Sequence, residues 1–557
     1  SLWFWSERMQ AGRDTRDTPV EALADVTAAL EANDIPLAVS LATEAVANGA
    51  EHPLLLNLRA FRFESEGRDA EALTDLKRAA FLAPHDAVIL NALGLAFFRC
   101  GQLSDAIQAF DTAITNAPAF SQAHFNKGWS LEESGNLVGA RECFQRAHET
   151  QPEAAAPLGR LAALSVRRGE WDIARVKAEQ ALAKDSKNVM AIMALANIEL
   201  EHGELSAAEH RLRELLTVSE IGNHDRATVE GLLGDVLHAR NRSAEAFDAY
   251  TSCNDRFRRI YSARFAEAGI QTVPQYLEML IDHFQCGTRD TWSRGEASAF
   301  QEADEPSRHI FIIGFPRSGT TLLEQVLGSQ PGAVTSDEKD GLVEGVREFM
   351  TKPADLDRLA MLRRTGLARY RRAYWQHMRE CGLETKGKIF IDKLPYHTVK
   401  LPLIAKLFPS ARIVFMARDP RDVVLSCFRQ RFRMNPSNYE LLTLDGAAHL
   451  YDLTMQLAEI YRAKLPIAIH DVRHEDLVAD FEGRIRALCT FLELPWTDTM
   501  RDFAGRARKS AVATPSANQV AKGLYSSGAS QWRRYADRLE PVMPVLKPWI
   551  ERFGYEP

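Results

Sequence analysis

Gly67, Gly101, Gly135, Gly169 and Gly203 stand 34 residues apart, and an alanine follows each by five positions: Ala72, Ala106, Ala140, Ala174 and Ala208. Extended backward, the spacing reaches Asn33 with Ala38; extended forward, after a short insertion, it reaches Asn241 with Ala246. Glycine and asparagine tolerate the left-handed backbone that a tight helix–helix turn needs. The alanine lets two helices approach closely. Pro84, Pro118 and Pro152 recur at the ends of three units, where they stop the second helix. Gly94, Gly128 and Gly234 place a small residue in the first helix. Such units are helix hairpins that stack on their neighbours.

This pattern resembles the tetratricopeptide repeat over roughly residues 18–255, about seven helix pairs. The resemblance implies an α-solenoid, a right-handed superhelix whose concave face commonly holds an extended peptide. The competing reading is a scaffold that mediates self-association, as in a homodimer, or only stiffens the chain. Residues 256–306 read as a helical linker: Arg256, Arg258, Arg259, Tyr261, Phe265 and Gln275–Leu280 look helical, and 287–306 is polar and irregular.

The second domain, 307–557, has a different grammar. Short apolar runs at Ile310–Ile313, Ile389–Ile391, Ile413–Met416 and Ile467–Ile469 alternate with helical stretches. That alternation predicts a three-layer α/β domain with a parallel sheet, whose ligands sit beyond the C-terminal strand ends. The first run leads into Gly314-Phe315-Pro316-Arg317-Ser318-Gly319-Thr320-Thr321 and then a helix. Strand, glycine turn and helix make a P-loop-like phosphate cradle, because backbone N–H groups and the helix dipole favour an anion there. Thr320 stands where a nucleoside-triphosphate P-loop has lysine, and the positive charge comes from Arg317 instead. This disfavours an ordinary ATPase, GTPase or phosphotransferase. After the third run, Arg418 and, eight residues on, Ser426 bracket a helix start and form a second anion site. Two such devices on one sheet suit a nucleotide with two separated anionic groups.

Pro316–Thr321 together with Arg418…Ser426 resembles the sulfotransferases that use PAPS (3′-phosphoadenosine 5′-phosphosulfate), over roughly residues 307–545. The form of the loop is similar to that of tyrosylprotein sulfotransferases and their bacterial relatives, some of which carry tetratricopeptide repeats. The resemblance implies that Pro316, Arg317, Ser318, Gly319, Thr320 and Thr321 hold the 5′-phosphosulfate, and that Arg418 and Ser426 hold the 3′-phosphate. It implies Glu338 as the catalytic base, with Asp337 as the lesser competitor because the family has Gly-Glu where this chain has Asp-Glu. Lys393, in Asp392-Lys393-Leu394-Pro395, would donate to the leaving oxygen, and Arg317 would brace the phosphosulfate. Ser516 and Lys522 belong to a segment that resembles the loop closing over the nucleotide, with Trp532 behind it. His397 and His474 replace the family's asparagine and tyrosine, and each reads first as structural. Asp471 and Glu475 read as a solvated face.

The remaining expectations are exclusions. A net charge of −7 gives no general attraction to nucleic acid or anionic membranes. The seven cysteines are scattered without a CxxC, which points away from a disulfide framework or zinc site and toward a reducing, cytoplasmic setting. No apolar run is long enough to span a membrane. Leu2-Trp3-Phe4-Trp5 is too short for a signal core, and the start at Ser1 is compatible with a trimmed N-terminus. Sulfonyl transfer strictly needs no metal. The expected function is a PAPS-dependent O-sulfotransferase acting on a peptide or protein, tyrosine first, presented by the repeat groove. The alternatives are a saccharide, lipid or small-metabolite acceptor, or a repeat scaffold with an inactive nucleotide-binding domain.

Overall fold

The computed structural model describes residues 20–267, 269–287, 292, 305–509, 520, 523 and 530–556. The chain forms two compact units, one ending at Gly203 and the other beginning at Glu204. Among the described residues, seven helix pairs run from Val20–Glu31 and Ile35–Ala47 to Asn223–Ala239 and Ser243–Phe265. The five phased glycines take φ of 69° to 87°, and Asn33 and Asn241 take 57° and 62°. All seven phased alanines, Ala38 through Ala246, are 0% exposed. The period seen in the sequence is therefore a period of left-handed turns and close helix contacts. Pro84, Pro118 and Pro152 each directly follow the cap of a second helix.

The small residue in the first helix has a specific partner. A Cβ at Gly94 would lie 2.5 Å from the Phe110 ring, at Gly128 2.8 Å from Phe144, and at Gly234 2.5 Å from Tyr250. Phe110 and Phe144 are fully buried and cannot swing away. Gly94→Val should cost about 1–3 kcal/mol through overpacking, read as a lower urea midpoint; an unchanged midpoint would show that the pair can part at no cost.

The second unit contains a parallel sheet of five strands: β1 Arg308–Gly314, β2 Ala333–Thr335, β3 Ile389–Lys393, β4 Arg412–Ala417 and β5 Ile469–Arg473. Their spatial order is β2-β3-β1-β4-β5. β5 starts at Ile469, where the expected strand ended, and β2 is an addition. Alternate residues serve two cores. Phe311, Ile313, Ile413 and Phe415 face one, with Trp375, Ile404 and Tyr461; Ile310, Ile312, Val414 and Met416 face the other, with Leu323, Val326 and Leu488. Burial on both faces explains the near-continuous apolar runs. Because all pairings are parallel, the segments after Gly314, Thr335, Lys393 and Ala417 leave at one rim. Among the described residues no helix is long and apolar enough to cross a membrane.

Candidate active site

Two glycines shape the turn after β1. At Gly314 a Cβ would lie 2.6 Å from Met416 O, and at Gly319 (φ 104°) it would lie 2.7 Å from His474 Cδ2. Gly319 caps the helix Thr320–Gly328, whose first N–H groups have no intrahelical acceptor. Thr398 Oγ1 accepts from Gly314 N (3.0 Å) and donates to Gly314 O (2.8 Å), tying the turn to the segment after β3. Arg317 holds φ 69° between the glycines, a strained setting for a side chain of its size.

The two segments expected to bind anions meet. Arg317 Nε donates to Ser426 Oγ (2.9 Å), and Arg418 Nη1 donates to Arg317 O (3.1 Å). Ser426 rides on the helix Pro420–Arg429, whose cap Asp419 accepts from Arg421 N. Asp422 on that helix accepts from Ser530 N and Trp532 N (2.7 and 2.9 Å). Trp532 lies under the buried Arg421, guanidinium to ring centroid 3.8 Å. It thus backs the Arg418–Ser426 helix. Ser516 and Lys522 lie outside the described residues.

A charged cluster sits beside the cradle. Lys393, fully buried at the end of β3, places Nζ 2.5 Å from Glu338 Oε1 and 3.2 Å from Glu324 Oε2. Burial pulls the Lys393 pKa down, but the two carboxylates outweigh it and hold the ammonium charged. Glu324, 0% exposed, is pushed up to about 7 by burial against the pull of Lys393. Glu338 and Asp337 take left-handed φ of 65° and 48° after β2. Ser336 secures that turn, donating from Oγ to Asp392 Oδ1 and accepting from Lys393 N, both at 3.0 Å. Asp392 also accepts from Tyr374 OH (2.6 Å) and lies 3.3 Å from His397 Nε2, so His397 belongs to a buried network under the rim.

A cavity of about 160 Å³ opens between these parts, lined by Pro316, Arg317, Gly319, Thr320, Thr321, Glu338, Leu394, Pro395, Tyr396, Phe432, Asn435 and Asn438. Of the expected site residues Pro316, Arg317, Gly319, Thr320, Thr321 and Glu338 line it, whereas Ser318, Asp337, Lys393, Arg418 and Ser426 do not. Ser318 is buried behind the turn, and its Oγ and His474 Nδ1 are buried without a hydrogen-bond partner among the described residues. Burial and then Arg418 lower the His474 pKa to about 3, leaving a neutral ring against Gly319. Glu475 is not a solvated face: it accepts from Asp419 N (3.2 Å) and Tyr555 OH (2.6 Å). Tyr396, Phe432, Asn435, Asn438 and Glu324 escape the sequence reading. Glu324 alone has a signal, a carboxylate inside Leu322-Leu323-Glu324-Gln325-Val326.

A sequence profile described as "Sulfotransferase family" matches residues 309–498, and one described as "Tetratricopeptide repeat" matches 91–155. An uncharacterized protein of Aquifex aeolicus is 24% identical over 472 residues, covering 82% of this chain and 59% of its own length, so the chain spans under two thirds of that relative. Protein-tyrosine sulfotransferase 1 of Danio rerio is 26% identical over 277 residues, 44% of this chain and 72% of its own. Among solved structures, a thermophilic TPR protein of Thermus thermophilus is 20% identical, with TM-score 0.29 over 32% of this chain and 98% of its own. The chain carries a sulfotransferase-family domain preceded by tetratricopeptide repeats.

Proposed function

We propose that this protein is a PAPS-dependent O-sulfotransferase whose acceptor is a peptide or protein hydroxyl, that of tyrosine first. The observation that carries it is the junction of Arg317 with Ser426 and Arg418, beside a cavity that Glu338 lines. The donor set fits a doubly anionic nucleotide: arginines, hydroxyls and a helix N-terminus, with the buried Ser318 Oγ lacking a partner among the described residues. Bound there, the nucleotide supplies an activated sulfonyl group and a phosphate leaving group.

The chain's own residues have separable tasks. Arg418 and Ser426 hold the 3′-phosphate, and Pro316–Thr321 hold the 5′ end. Glu338 takes the proton of the acceptor hydroxyl. Lys393 does not itself line the cavity, but its ammonium, kept charged by two carboxylates, lies 2.5 Å from Glu338, which does, and is assigned to the negative charge that grows on the leaving oxygen. Arg317 braces the sulfonyl oxygens. Tyr396 and Phe432 offer apolar surface to an aromatic acceptor. The name of the zebrafish relative supports tyrosine, and the repeats support recruitment of a polypeptide.

Titration calorimetry with 3′-phosphoadenosine 5′-phosphate tests the reading. Wild type should bind, and Arg418→Ala should bind about 10- to 100-fold more weakly, the worth of one charge-assisted contact. No binding by wild type, or equal binding by the variant, would end it.

A further inference from the structure

Part of the cavity wall comes from residues 431–442, and this stretch has two sides. Phe432, Asn435 and Asn438 line the cavity. Met434, Tyr439 and Leu442 instead join a cluster with Ala227, Cys253 and Phe257 of the seventh helix pair. Tyr439 also meets the Phe265 ring at 5.7 Å. The polar contacts run the same way. Arg431 Nη2 lies 2.6 Å from Asp235 Oδ2, and Tyr250 OH donates to Asp235 Oδ1 (2.9 Å). Asn254 Nδ2 donates to Phe428 O (2.8 Å), and Phe247 stacks on Phe428 at 5.1 Å. Phe428 is two residues from Ser426.

The wall has little structure of its own. Its helix, Pro436–Glu440, is five residues long, far below what holds itself in water. Asn435 and Asn438 brace the turn: Asn438 N donates to Asn435 Oδ1 and Asn438 Nδ2 donates to Arg433 O, both at 2.8 Å. Beyond these local bonds it leans on the seventh pair and, through Phe432 and Leu441, on the main core.

Resting on the function proposed above, we propose that the seventh helix pair is a positioning element of the catalytic centre. Asp235, through Arg431, sets the place of the Phe432–Asn438 wall and so the fit of the acceptor. The last repeat is then part of the enzyme, not a spacer before it.

Asp235→Asn keeps the space and the Tyr250 contact but removes the charge that holds Arg431. In the full-length protein, the KM for N-acetyltyrosinamide should rise about tenfold, the scale of one lost charged contact. Turnover at saturating acceptor and affinity for 3′-phosphoadenosine 5′-phosphate should stay within about twofold. Asp235→Glu should restore the KM. Hydrogen exchange should speed up across 431–442 and not across 310–328. A merely structural role would lower the active fraction, and hence apparent turnover, at unchanged KM; that result overturns the proposal, as does wild-type exchange across 431–442. If wild type binds no nucleotide, the function falls, and the exchange arm still decides whether Asp235 positions the wall.

Discussion

Glu338→Gln lowers turnover by about 10²- to 10⁴-fold, the usual worth of a positioned proton acceptor, while affinity for 3′-phosphoadenosine 5′-phosphate stays within about threefold. The substitution is nearly isosteric. It weakens the Glu338–Lys393 ion pair but leaves the left-handed turn at Asp337–Glu338 tied to β3 through Ser336. It removes the only feature a base needs, a carboxylate facing the cavity. Asp337 is the internal control: it is adjacent in sequence but does not line the cavity. Asp337→Asn should keep turnover within about threefold, because a base must lie within hydrogen-bond reach of the acceptor and the carboxylate lining the cavity is that of Glu338. Single-turnover measurement separates chemistry from product release. A Glu338→Gln enzyme with wild-type turnover, or an Asp337→Asn enzyme with the large loss, would move the base off Glu338.

The parts of this molecule legible from sequence are those where geometry admits few residues. A helix turn with positive φ at Gly67 or Gly203, and an alanine at full burial beneath it, recur because each repeat meets the same packing problem. The β1 turn is legible for the same reason, since neither Gly314 nor Gly319 has room for a Cβ. β2 escapes because three residues carry no periodicity. Glu324 escapes because a carboxylate on a helix normally faces water, and only tertiary contact with Lys393 reveals its burial. The wall at 431–442 escapes for a different reason. Its residues obey no motif, and their meaning comes from the helix pair Asn223–Ala239 and Ser243–Phe265, nearly two hundred positions earlier. Glu475 misleads because an acidic stretch after a strand looks solvated until Asp419 and Tyr555 are found on it.

Lys393→Met should damage stability and chemistry together, and the two effects can be pulled apart. Both Lys393 and Glu324 are 0% exposed and 3.2 Å apart. Removing the ammonium leaves a buried carboxylate without its counter-charge, a loss of about 3–5 kcal/mol when such pairs are broken. The loss depends on pH in a defined sense. Burial already raises the folded Glu324 pKa to about 7, above the ordinary 4.5 of a glutamate. A carboxyl raised on folding favours the folded state when protonated, and that contribution fades as pH rises through the folded value. Without Lys393 the folded value climbs further. The variant should therefore approach wild-type stability near about pH 5, where Glu324 carries its proton, and fall furthest behind above about pH 8. Adding Glu324→Gln removes the charge and should restore the alkaline stability. It should not restore turnover, which on the proposed role of Lys393 stays down by at least about 10²-fold because the charge assigned to the leaving oxygen is still missing. Denaturant midpoints against pH read the first effect and single-turnover rates the second. A pH-independent penalty would detach Glu324 from Lys393, and a double variant with recovered turnover would show that Lys393 serves the fold alone.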